Sequence, residues 1–109
     1  MSPLGNDVPT SWEACINGQS GIARITNFDP ELFRCQIAGE VKNFQLPKII
    51  PVKEAKKMDL FIQYSIGATQ EALLDANLEI TEDIEEEVGV SMGVGIGGLG
   101  CIERYSKII

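Results

Sequence analysis

An α/β fold with an incomplete sheet is what this 109-residue chain predicts, and three observations carry that reading. A long stretch after Pro51 has apolar residues at helical spacing. Residues 88–94, Val-Gly-Val-Ser-Met-Gly-Val, are small and apolar without polar alternation, which suits a strand buried on both faces of a mostly parallel sheet. Such a strand needs a neighbour on each side to pair its backbone groups, and only one other segment reads as a credible strand.

In chain order, Ser2-Pro3-Leu4-Gly5-Asn6 is turn chemistry. A helix follows, for which Asp7 or Thr10 can serve as cap; Thr10 and Glu13 have capping-box spacing. Trp12, Cys15 and Ile16 then share one face, and Gly18 supplies a left-handed stop. The chain reads as irregular through Asn27-Phe28-Asp29-Pro30. In residues 35–41, Cys35, Ile37, Gly39 and Val41 alternate with Gln36, Ala38 and Glu40, the pattern of a short, half-buried strand.

Pro47 and Pro51 bracket the connection into a helix predicted over residues 52–76. Met58, Phe61, Ile62, Ser65, Ile66, Thr69 and Leu73 recur along one side of it. Gly67 costs about 1 kcal/mol relative to alanine inside a helix, so its presence points to close packing there. After Asn77, Thr81 can cap an acidic turn, Glu82-Asp83-Ile84-Glu85-Glu86-Glu87, read as a solvated loop. Beyond the run at 88–94, the residues from Leu99 start a further helix.

Composition narrows the function classes. A net charge of −7 disfavours general nucleic-acid binding, which needs a basic face. No apolar stretch is long enough to span a bilayer, and the amino terminus has neither the basic start nor the apolar core of a secretory signal; no membrane association and a cytoplasmic location are the expectations. Three cysteines, Cys15, Cys35 and Cys101, lie far apart without a CxxC pair, which predicts reduced, mostly buried thiols and neither a disulfide framework nor a metal site. The chain contains no histidine, so Ser-His and Cys-His pairs and histidine metal ligands are excluded within it.

Three local features carry possible chemistry. Gly95-Ile96-Gly97-Gly98-Leu99-Gly100 formally matches GxGxxG after a strand, a pattern that lets backbone N–H groups approach a pyrophosphate; equally, the glycines permit a tight turn or close packing of layers. The acidic residue that would confirm a dinucleotide unit lies about 20 positions further on, past the last residue of the sequence. Lys53, Lys56 and Lys57 fall three and four apart, so they share a helix face, either as a solvated helix end or as a dock for an acidic partner. Cys101 follows the glycine-rich turn where a helix begins, a setting that lowers thiol pKa values, although structural packing is the preferred reading.

Six segments together resemble one family, the beta-ketoacyl-acyl-carrier-protein synthases of the synthase II type. They are Ser2-Pro3-Leu4-Gly5-Asn6, Gly18-Gln19-Ser20-Gly21-Ile22, Phe28-Asp29, Ala38-Gly39, Lys56-Lys57-Met58-Asp59 with Phe61-Ile62-Gln63-Tyr64, and Gly95 to Gly100. The resemblance covers essentially the whole chain. It implies part of a thiolase-like, layered αβαβα fold, a homodimer in the intact enzyme, no cofactor, and acyl carrier protein as partner. The reaction implied is condensation of acyl and malonyl thioesters in fatty acid elongation.

The family's nucleophilic cysteine, two histidines and lysine belong to motifs this sequence does not contain. No catalytic residue is therefore carried over, and residues 1–109 are expected to be an inert piece truncated at both ends. Two sites do transfer by resemblance. Lys53, Lys56 and Lys57 match basic positions that receive the carrier protein, with Lys56 a point charge where the family often has the forked guanidinium of arginine. Ile96 matches a residue lining the far end of the acyl pocket. The rival readings are a small binding module for an acidic partner protein and a dinucleotide-binding unit.

Overall fold

The computed structural model describes residues 1–108, which form two compact units, Met1–Gln45 and the remainder from Leu46 onward. The first contains helix α1 (Val8–Ile16) and strands β1 (Ile22–Arg24) and β2 (Ile37–Gly39). The second is helical, with α2 (Val52–Ala55), α3 (Leu60–Asp75) and α4 (Leu99–Ser106).

The opening turn closes on itself: Ser2 N–H donates to the Gly5 carbonyl at 2.8 Å, and Gly5 N–H returns a bond to Ser2 at 3.2 Å. Asp7 is the cap of α1, its Oδ1 accepting from Thr10 N–H at 2.7 Å, and Pro9 sits in the first turn, where a missing N–H costs nothing. The helix ends in a Schellman motif. Gly18 takes φ +64°, Gln19 N–H reaches the Ala14 carbonyl at 2.9 Å, and Gly18 N–H reaches Cys15 at 3.0 Å. The inward residue is Ala14. Trp12 and Ile16, expected on the covered face, are each 64% exposed; the hollow that Trp12 and Cys15 line with Met1 and Leu4 is open to solvent.

β1 and β2 pair antiparallel, with Ile22 opposite Gly39 and Arg24 opposite Ile37. β1 falls in a segment that reads as irregular, since three residues are too few for alternation to register. The alternation in β2 is the reverse of the one expected: Ala38 is half-buried, whereas Ile37 is 58% exposed. Close approach explains the small residues here. A Cβ on Gly21 would stand 2.7 Å from Pro3 Cβ, and one on Gly39 would stand 2.8 Å from Pro3 Cγ, so Pro3 seats where neither glycine has a side chain.

Glu40 fastens the loop between the strands. Its carboxylate accepts from Thr26 N–H at 3.0 Å, from the Thr26 hydroxyl at 2.8 Å and from Asn27 N–H at 3.2 Å. Within that loop Phe28 and Phe33 meet edge to face at 5.4 Å between ring centroids.

The second unit corrects the helix predicted over 52–76. It is two helices, α2 and α3, separated at residues 56–59. Asp59 adopts an extended conformation, φ −66° and ψ 155°, and becomes the residue preceding α3. Gln63 reaches back across the break, its Nε2 donating to the carbonyls of Ala55 at 3.0 Å and Met58 at 3.1 Å, and so satisfies groups that a continuous helix would have paired. Gly67 is buried, in line with the close packing its presence implied. At the far end Asn77, at φ +49°, repeats the Schellman stop, with Leu78 N–H on the Leu73 carbonyl at 3.0 Å and Asn77 N–H on Leu74 at 3.1 Å.

Thr81 begins the acidic turn through its carbonyl, which receives the N–H groups of Ile84 and Glu85. Residues 88–94 are not a strand. They run along α3, where Ala68, Thr69, Ala72 and Leu73 face residues 88–92 across an open groove, and Val90 and Met92 are 64% and 51% exposed. The expected parallel sheet therefore does not form, because among the described residues no strand lies beside this segment to take its backbone groups.

The Glu40 clamp sets a pH dependence. Hydrogen bonds from the Thr26 hydroxyl and backbone, outweighing desolvation, hold the Glu40 carboxyl below its ordinary value. A depressed carboxylate contributes stability above the unfolded pKa and loses it as pH falls through the folded one. The backbone amide resonances of Thr26 and Asn27 should therefore move together below about pH 4.5, the ordinary glutamate range. Glu40→Gln should remove that step; amide signals flat from pH 5 to pH 2.5 in the unmodified chain would refute the clamp.

Candidate functional site

The lysine face begins on α2. That helix has a single turn, and Lys56 is its carboxy-terminal cap, so Lys53, Lys56 and Lys57 lie on one turn and the bend after it. All three are exposed. Lys57 Nζ bonds Glu54 Oε1 at 2.9 Å and Oε2 at 3.2 Å, an exposed i,i+3 pair that contributes little to stability. Lys53 and Lys56 form no ion pair among the described residues. Two charges of the cluster are thus uncompensated in a chain whose net charge is −7.

Ile96 lies in the bend between the 88–94 segment and α4 and is 78% exposed. The glycines around it act by close approach and by backbone freedom. A Cβ on Gly97 would lie 2.9 Å from Val94 Cγ1 and 3.2 Å from Cε1 and Cζ of Phe61. Gly98, at φ +77°, is the left-handed residue that starts α4.

Asp59 is the residue that the sequence reading missed. Its carboxylate makes no capping bond to α3 and instead stands beside the amino end of α4. Cβ atoms on Gly100 and Gly98 would fall 3.4 Å and 3.6 Å from its oxygens. An anion at a helix amino terminus is stabilising by about 0.3–1 kcal/mol, so Asp59 ties the start of α4 to the start of α3. An aspartate immediately before an apolar-periodic run was the available sequence signal, and it marked the helix boundary; the second helix it serves lies 40 residues on.

Asp59 also acts on Cys101. The thiol hydrogen-bonds the Asp59 carboxylate, and this, with desolvation and the aspartate charge, pushes the thiol above its ordinary value. The helix start does not lower it, contrary to what its position suggests, because the nearby carboxylate opposes a thiolate directly. Cys101 is half-buried, and Cys15 and Cys35 are exposed; the mostly buried thiols expected from composition are not observed, because both helix α1 and the interstrand loop present these positions outward.

A raised thiol pKa means the folded state favours the protonated form, a contribution present below the unfolded pKa and lost as pH rises through the folded one. With Cys15 and Cys35 replaced by serine, Asp59→Asn should speed reaction of Cys101 with a disulfide reagent at pH 8 by on the order of threefold, since the thiolate is the attacking species. An unchanged rate would show that the aspartate does not govern this thiol.

Comparison with known proteins agrees with the resemblance drawn above. The family model described as "Beta-ketoacyl synthase, N-terminal domain" matches residues 1–107. A 3-oxoacyl-[acyl-carrier-protein] synthase 2 of Vibrio harveyi is 52% identical over 103 residues, 94% of this chain and 25% of the relative. The protein of the same name from Staphylococcus aureus is 47% identical over 107 residues, 98% of this chain and 27% of the relative. The chain spans about a quarter of the length of the curated relatives it matches. With the match running through the opening turn, the lysine face and the glycine segment alike, this chain belongs to the beta-ketoacyl synthase family, in its N-terminal domain.

Proposed function

We propose that this chain is the amino-terminal part of a 3-oxoacyl-acyl-carrier-protein synthase of type 2, an acyltransferase that condenses acyl and malonyl thioesters of acyl carrier protein in fatty acid elongation. The observation that carries the reading is the identity of 47–52% to proteins of that name across nearly every residue of the chain. The complete enzyme has the layered αβαβα architecture and acts as a homodimer. Segments outside residues 1–109 supply the strands that flank residues 88–94, the nucleophilic cysteine and the residues that assist it.

In this reading Lys53, Lys56 and Lys57 receive the acidic carrier protein. The support is physical: exposed cations in an acidic chain, two of them without an intramolecular anion, focus attraction on a partner of opposite sign. Ile96 forms part of the far wall of the acyl pocket, and its exposed side chain is available to a cavity completed by other segments. By itself the chain is an inert piece; Asp59 shifts Cys101 away from the thiolate, the attacking form of a thiol.

Two measurements test this. In the intact enzyme, Lys53→Glu with Lys56→Glu should raise KM for carrier-protein substrates by about tenfold at low salt with kcat largely kept, the difference narrowing as ionic strength rises. Unaltered KM would remove the docking role. Incubation of residues 1–109 alone with acyl carrier protein thioester should leave Cys15, Cys35 and Cys101 unacylated by mass spectrometry; a stoichiometric adduct on any of them would contradict the assignment of the nucleophile to another segment.

A further inference from the structure

We infer that Phe61 is a positioning residue for chain-length selectivity, because its ring is the surface on which the Ile96-bearing segment rests. This rests on the proposed pocket role of Ile96 and adds the element that fixes where Ile96 stands. The bend at residues 94–98 has little regular hydrogen bonding of its own, and among the described residues no strand lies beside it. What fixes it is contact. Val94 Cγ1 and the Phe61 ring edge crowd Gly97, at 2.9 Å and 3.2 Å from where a Cβ would be.

Phe61 is half-buried on the first turn of α3, two residues beyond Asp59. The first turn of α3 and the residue before it therefore hold the carboxy-terminal end of the bend. The ring seats Gly97, and the carboxylate stands beside Gly98 and Gly100 at the start of α4. Ile96 itself, 78% exposed, makes few contacts that could locate it, so its position follows from its neighbours. A displacement of the bend by a few tenths of an ångström carries the Ile96 side chain with it. Selectivity between acyl chains differing by one or two methylenes is sensitive to shifts of that size, whereas the thioester end of the substrate is not affected.

The test uses the intact synthase with Phe61→Leu, which withdraws the ring edge, and Gly97→Ala, which forces the bend outward. The readout is the ratio of kcat/KM for a long against a short saturated acyl carrier protein thioester. Both variants should change that ratio by at least about threefold, since one methylene in an apolar pocket is worth tenfold or more. A residue needed only for folding would lower both substrates in equal proportion, so an unchanged ratio in both variants overturns the inference. Ile96→Phe, measured in parallel, separates the two layers of the argument. If it shifts the ratio while the others do not, the positioning role alone falls; if it too is silent, the pocket reading falls and the positioning role with it.

Discussion

Apolar surface without cover is the constraint on which everything else in this molecule depends. The buried hydrophobic side chains are Ala14, Ile50 and Ala55, and no large side chain among the described residues is completely enclosed. Leu32 is 98% exposed, Leu74 75% and Val52 67%. Burying one such side chain contributes about 1.5–3 kcal/mol, so the elements here forgo the term that normally organises a domain. What defines them is chemistry at their ends: the Asp7 cap, the Schellman stops at Gly18 and Asn77, and the Gln63 bridge over the α2–α3 break.

The same constraint explains how glycine and proline are used. Pro3 sits against Gly21 and Gly39 in the first unit, and Phe61 sits against Gly97 in the second. In each case a rigid ring meets backbone that carries no side chain, a contact that needs little area and fixes geometry tightly. Residues 88–94 have the opposite character. They are small and apolar, and among the described residues no strand pairs with them.

Electrostatics separates two surfaces in the second unit. The acidic turn at residues 82–87 is solvated, and the lysine face on α2 keeps two of its three cations unpaired. Asp59 stands apart from both, because its charge is used internally at the start of α4 and against the Cys101 thiol. That one carboxylate links the α2–α3 break, the glycine segment and the only half-buried cysteine.

Sequence by itself determined whatever depends on neighbours within one turn of chain. The α1 cap and stop, the acidic turn, the start of the last helix, the buried Gly67 and the family were all legible in it, since capping, left-handed glycine and motif order are local or linear properties. It read residues 88–94 as a buried strand short of partners, and no strand forms there. Only the tertiary structure decided which faces are covered. It exposed Trp12, Ile16 and Ile37, paired a three-residue β1 with β2, and turned the Asp59 carboxylate toward a helix 40 residues away. Burial and long-range pairing depend on what else the chain brings alongside, and apolar periodicity reports a face that can be buried without saying whether anything is there to bury it.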